Sequence, residues 1–245
     1  MAGTEDGFQP LRLTWRVQNW MEPSLPLHLD GLVCHAMISE GLAHGTIDRS
    51  ASIRSLVDRL DLPLARATRG SEFAWMASAL RAVDVHVTGM RIWTRKINAD
   101  AVAEAVRGGV VRLGSRLYDT RHPPRLKPFA YKVDTSRGIM KGSFKYVPVQ
   151  VPESVVAHCV GDETRLRELL HPDSGHVTYL GRGRQGLGRV LDFRIDRDEE
   201  AVERWKERVL PWAEAGCVEM RLAARPPYWD VSNVQRAWVN PDIFG

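Results

Sequence analysis

The run Tyr179-Leu180-Gly181-Arg182-Gly183-Arg184-Gln185-Gly186-Leu187-Gly188-Arg189-Val190 sets four glycines and three arginines between two extended segments. His176–Leu180 reads as extended on the way in. On the way out, Leu191, Phe193 and Ile195 alternate with Asp192 and Arg194, which predicts a strand with the three apolar residues on its inner face. Glycine has no Cβ, so such a loop can take positive φ and bring backbone N–H groups close to a phosphate. Arginine adds a planar, permanently charged fork that matches phosphate geometry. Gly181, Gly183 and Gly186 match the spacing G-x-G-x-x-G, but a dinucleotide fingerprint must open a helix whose N-terminus carries the pyrophosphate. The residues that follow have period 2, not 3.6, so that reading fails. A P-loop fails because no Gly-Lys-Ser/Thr follows. What stands is a loop suited to a polyanion, against the plainer alternative of a glycine-rich hairpin with solvated arginines.

The chain has 245 residues, enough for one large domain or two small ones and for a sizeable core. Hydrophobic residues make up 44% and charged residues 26%, which places it among ordinary globular proteins. No stretch is apolar enough to span a membrane. The opening Met-Ala-Gly-Thr-Glu-Asp-Gly has neither the basic start nor the apolar run of a signal peptide. Cys34, Cys159 and Cys217 are odd in number and far apart, as expected in a reducing cytoplasm. His28, Cys34, His35 and His44 fit no familiar metal-ligand spacing. Neither metal nor cofactor is expected.

The formal net charge of +4 is unevenly spread. Between Arg121 and Tyr146 stand seven basic residues (Arg121, Arg125, Lys127, Lys132, Arg137, Lys141 and Lys145) against the single acid Asp134, so this segment carries +6 and the rest of the chain −2. Phe129, Tyr131, Phe144 and Tyr146 are interleaved with those charges. Basic groups alternating with aromatics suit a single-stranded nucleic acid, whose phosphates pair while its bases stack. The competing reading is a basic loop facing water. Two basic features pointing the same way favour nucleic acid.

Elsewhere, Leu11, Leu13, Trp15 and Val17 alternate with polar residues and predict a half-buried strand. Asp30 is placed to cap a helix with Leu32, Val33, Ala36 and Met37 on one face. Ser52–Leu60 reads as a second helical piece, Val83–Thr94 as extended, and Ala99–Arg107 as a short helix ended by Gly108-Gly109. Ile139–Val147 and the valines that follow predict extended chain to Val160-Gly161. Asp162 then caps a helix through Leu170. Glu199–Ala215 is amphipathic and acidic, which predicts a surface helix. Arg225-Pro-Pro-Tyr-Trp229 excludes a helix. Helices lying between strands in this order predict an α+β fold with a ferredoxin-like (RRM-like) core and a large insertion. The expectation is one domain over 1–245, with a basic insertion at 121–146 and a C-terminal helix and tail at 196–245.

These residues carry a resemblance. The N-terminal strand followed by Pro26-Leu-His28-Leu-Asp30-Gly31-Leu32, and the late loop Gly181–Val190, resemble the RAMP superfamily of CRISPR effector subunits. The nearest likeness is to the subunit that caps the crRNA 5′ handle in type IV systems. Gly142-Ser-Phe-Lys-Tyr146 and Arg225-Pro-Pro-Tyr-Trp229 resemble the same group. The resemblance implies an RRM-like core, a β-hairpin thumb at 121–146 and a glycine loop beside RNA. It also implies a large subunit and a repeated backbone subunit as partners, target DNA in the assembled complex, and a helicase working with it. On that basis Gly181, Gly183, Gly186 and Gly188 allow close approach, while Arg182, Arg184 and Arg189 contact phosphates. Lys132, Arg137, Lys141 and Lys145 hold RNA at the thumb, and Tyr131, Phe144 or Tyr146 stacks on a base. Asp30 is read as a helix cap, and Arg225 and Trp229 as contacts either to RNA or to the large subunit.

Some relatives of this fold cut crRNA precursor, which needs an acid and a base near the 2′-OH. His35, His44, His122, Tyr131 and Lys132 are the residue types available, yet no spacing forces a pair together. The expectation is therefore a binding subunit and no enzyme. A metal-independent endoribonuclease, and a structural adaptor whose basic segment meets acidic partners, are the alternatives.

Overall fold

The computed structural model describes residues 7–19, 26–95, 143–181 and 187–244. Contacts divide the chain into residues 1–89 with 148–245, and residues 90–147. The first unit runs β1 (Gln9–Val17), α1 (Leu29–Ala43), α2 (Ile53–Val57), β2 (Arg66–Arg69), β3 (Glu72–Trp75) and the start of β4 (Arg81–Arg95). It resumes within β5 (Ser143–Gly161) and continues through α3 (Glu163–Leu170), β6 (Val190–Arg197), α4 (Ala201–Arg204), β7 (Val209–Leu210), β8 (Val218–Ala223) and β9 (Val234–Val239). Of the second unit, the ends of β4 and β5 are described. The expected insertion at 121–146 falls there, and up to residue 142 it lies outside the described residues, as does the expected helix at Ala99–Arg107.

The principal sheet has the order β4-β5-β1-β6, with β1 antiparallel to both β5 and β6. With α1 following β1 and α3 following β5, this is an α+β arrangement consistent with a ferredoxin-like core. Its inner face is written in β1, where Leu11, Leu13, Trp15 and Val17 are buried. They pack with Leu29, Val33 and Ala36 of α1 and Leu166, Leu169 and Leu170 of α3. Trp15 stacks on Phe193 of β6 with ring centroids 5.1 Å apart. Burying each such large side chain contributes about 1.5–3 kcal/mol. Asp162 caps α3 as expected, its carboxylate accepting from the Arg165 N–H at 3.1 Å.

Three expectations are corrected. Leu191 is 49% exposed, whereas Val190, Phe193 and Ile195 are buried. The β1–β6 register shifts between Arg16 and Val17, so Val17 meets Val190 and one residue of β6 bulges out. The helix expected over Glu199–Ala215 is confined to Ala201–Arg204; the chain then turns into β7, which pairs with β9. Asp30 does not cap α1. The cap position is His28, without a side-chain bond to the helix, and Asp30 lies inside the helix with its side chain fully buried.

Candidate nucleic-acid interface

The glycine run leaves and rejoins the core at one point. Residues 182–186, and with them Arg182, Gly183, Arg184 and Gly186, lie outside the described residues. The two ends do not. Leu180 donates its N–H to the Gly188 carbonyl at 2.7 Å, and Val190 donates to Thr178 at 3.0 Å. Gly188 donates to Asn19, just past β1, at 3.0 Å to its carbonyl and 3.1 Å to its side-chain oxygen. Gln18 donates to the Arg189 carbonyl at 2.9 Å, which carries the β1–β6 ladder up to the loop. Leu180 and Leu187, one on each side, are buried to 1% exposure. Backbone bonds and two apolar anchors therefore close the neck of the loop tightly.

Gly188 is required at the neck for two reasons. Its φ is +77°, and a Cβ there would stand 1.8 Å from the Leu180 carbonyl oxygen. Gly181 has φ +98° and open space around it. Tyr179 and Arg189 are antiparallel bridge partners at the neck, both exposed. Bridge partners project to the same side of a ladder, so an aromatic ring and a guanidinium stand together below the loop. Tyr179 was missed as a site residue in the sequence. Its signal is position, an aromatic two residues before Gly181.

Of the residues assigned to the basic segment, Tyr131, Lys132, Arg137 and Lys141 lie outside the described residues. Phe144, Lys145 and Tyr146 fall in β5, and Tyr146 is 59% exposed. Trp229 is exposed, and Arg225 lies over the Phe73 ring at 4.5 Å.

On β5 the second face of the sheet is covered. Val156, His158 and Val160 of β5 point away from the α1–α3 side, yet all three are buried. Asp198 brings its carboxylate within 3.2 Å of His158 Nδ1, and Arg204 and Glu207 lie close enough to act on its charge. At these β5 positions the sheet is not open to a stacked base.

A second cluster is wholly internal. Arg208 is buried to 0% exposure and donates to Asp30 Oδ2 at 2.9 Å, to the Trp75 and Ala77 carbonyls at 2.7 and 2.9 Å, and to the Tyr228 hydroxyl at 2.7 Å. Tyr228 donates to Asp30 Oδ1 at 2.7 Å. Burial opposes the Arg208 charge, but Asp30 and Tyr228 outweigh it and hold the guanidinium protonated. The Tyr228 hydroxyl is pushed well above its usual value, first by burial. The cluster ties α1 to the chain around β7 and β8. Asp30 of the His28-Leu-Asp30-Gly31 stretch and Tyr228 of Arg225-Pro-Pro-Tyr-Trp229 thus serve to hold the fold together.

His28 edges against Tyr228 with ring centroids 4.3 Å apart, and its pKa is lowered to about 3 by burial and then by the Arg208 charge. Burial also lowers His158 and His35. The unfolded chain protonates these groups near pH 6.5, so stability is full above that pH. It is lost as the pH falls toward about 3, because the unfolded state takes up the proton first. The thermal midpoint is expected to fall between pH 7.5 and 5.5, with a shallower fall in His28→Gln. A midpoint that rises on acidification contradicts this assignment.

Among the described residues no helix is long and apolar enough to cross a membrane, and no cluster of metal-ligating side chains occurs. No curated protein matches the chain significantly. The family model for the CRISPR type IV associated protein Csf3 matches residues 9–240, nearly the whole chain. With the antiparallel sheet order and the closed glycine loop already in view, the chain belongs to the Csf3 family of RAMP-like subunits of type IV CRISPR complexes.

Proposed function

We propose that this chain is the non-catalytic subunit that holds the 5′ handle of the crRNA in its complex. The observation that carries the reading is the neck of the glycine loop. Leu180, Gly188 and Asn19 lock it, and Tyr179 and Arg189 are exposed together beside it. Arg182 and Arg184, which follow this neck in sequence, pair with phosphates of the strand, and Tyr179 offers a ring on which a base stacks. Such a loop binds and orients a strand but supplies neither the acid nor the base that cutting requires. Lys132, Arg137, Lys141 and Lys145, with Tyr131, Phe144 and Tyr146, are proposed to hold RNA as well.

In this reading the large subunit and the repeated backbone subunit adjoin the chain, target DNA pairs with the guide in the assembled complex, and a helicase acts on that assembly. Exposed Val85 and Val87 on β4 supply apolar surface for such a neighbour.

The experiment is a salt titration of RNA binding. Arg182→Ala with Arg184→Ala should weaken binding of handle RNA by about tenfold or more, since hydrogen bonds to charged groups contribute roughly 1.5–3 kcal/mol each. The slope of log affinity against log salt should flatten by about 0.7 per lost phosphate contact. Unchanged affinity and slope would remove the loop from the interface.

A further inference from the structure

Arg54 of α2, Arg66, Phe73 and Trp75 of the β2–β3 hairpin, and Arg225 after β8 line one cleft of about 480 Å³. This volume lies within the range of small-ligand sites. The cleft contains two guanidinium–ring layers. Arg66 lies over the Trp75 ring at 4.2 Å, and Arg225 lies over Phe73 at 4.5 Å. The two rings meet edge to face at 5.9 Å, so the layers are joined into one wall. A guanidinium over an aromatic ring can still offer a face to a second planar group and N–H groups to an anion.

The charges in the cleft are available to a ligand. Among the described residues Arg225 has no ion pair. Arg66 pairs with Asp61, whose side chain is 90% exposed, and such a solvent-exposed pair contributes little and exchanges readily. Arg54 donates to the Ser232 hydroxyl at 2.8 Å and reaches Asp230 at 3.7 Å. Asp58 is the one carboxylate in the lining, and it sets a limit on how much negative charge fits. Gln235 also lines the cleft, and its amide both donates and accepts.

We propose that this cleft binds a single nucleotide unit. The base stacks on the Arg66–Trp75 layer with an edge toward Gln235, and the phosphate sits on the N–H edge of Arg225. A ligand with both a flat ring and an anion answers every feature of the wall, which an acidic peptide side chain does not. None of the loop's neck residues lines the cleft, and the proposal does not depend on the role assigned to the loop. Its nucleotide comes either from a bound strand or from a free nucleoside phosphate.

Photocrosslinking distinguishes the two. The probes are 8-azidoadenosine 5′-monophosphate and a short single-stranded RNA carrying 5-iodouridine, each crosslinked to the purified full chain and mapped by peptide mass spectrometry. Adducts are expected in 66–75 or 224–235, competed by AMP, and reduced about tenfold by Arg225→Ala, as for loss of a charge-assisted contact. Arg66→Gln, at an exposed position, should reduce them as well and guards against a misfolded first variant. Labelling by the mononucleotide alone assigns a free ligand, and labelling by the RNA assigns a strand. Labelling should persist in Arg182→Ala with Arg184→Ala, so this site and the loop stand or fall separately. Absence of adducts in both segments with both probes, or labelling unchanged in both cleft variants, overturns the proposal.

Discussion

Asp30→Ala is expected to lower stability by about 3–5 kcal/mol, because it leaves the buried Arg208 guanidinium without its counter-charge. Arg208 and Asp30 are both at 0% side-chain exposure, so water cannot replace the lost partner. The Trp75 and Ala77 carbonyls would still accept from Arg208, but neutral acceptors do not neutralise a charge at low dielectric. A loss of that size is a large part of the total stability of a typical domain. Tyr228→Phe removes a hydroxyl that bonds both Asp30 and Arg208, and should cost about 1–3 kcal/mol. Asp30→Ala with Arg208→Met should recover part of the loss, since an apolar pair of similar volume often replaces a buried ion pair without penalty. Chemical denaturation measures all three. If Asp30→Ala cost less than Tyr228→Phe, the buried ion pair would not be the centre of this cluster.

Gly188→Ala is expected to damage both fold and binding. The new Cβ meets the Leu180 carbonyl at 1.8 Å, a backbone atom that can move only by opening the neck, and φ is +77°. Positive φ alone costs a non-glycine residue about 1–2 kcal/mol, and the clash adds to it. Opening the neck breaks the bonds from Leu180 to Gly188 and from Gly188 to Asn19. Handle-RNA affinity should therefore fall even though no charge has changed, and the salt slope should stay near its original value. Gly181→Ala is the control: its φ is +98° but its Cβ enters open space, so it should cost about 1–2 kcal/mol and leave the neck closed. Equal effects of the two substitutions would contradict the clamp.

The sheet was legible in the sequence where one rule acted alone. Period 2 in β1 and the Asp162 cap of α3 were enough to place both. Leu191 was put on the wrong face because a strand pattern assumes unbroken register, and the bulge opposite Arg16 and Val17 is set by pairing between strands far apart in sequence. The Glu199–Ala215 stretch has helical periodicity, yet Arg208 is drawn inward to Asp30 across most of the chain length, and Pro211 prevents helix beyond. Asp30 was assigned to a cap because a carboxylate near a helix start usually is one. Its true partner, Arg208, was hidden in an acidic segment that looked solvent-facing. At the loop, composition pointed to the glycines and arginines but not to Asn19 or Tyr179, whose roles come from the ladder that brings β1 beside residues 179–190.

The most direct test is the affinity of the purified chain for repeat-derived 5′-handle RNA, compared with a scrambled RNA of equal length at two salt concentrations. Electrostatic binding alone weakens steeply with salt and ignores sequence. The proposed handle-binding role predicts a preference for the handle that persists at the higher salt. Equal binding of the two RNAs that collapses together as salt rises would contradict it.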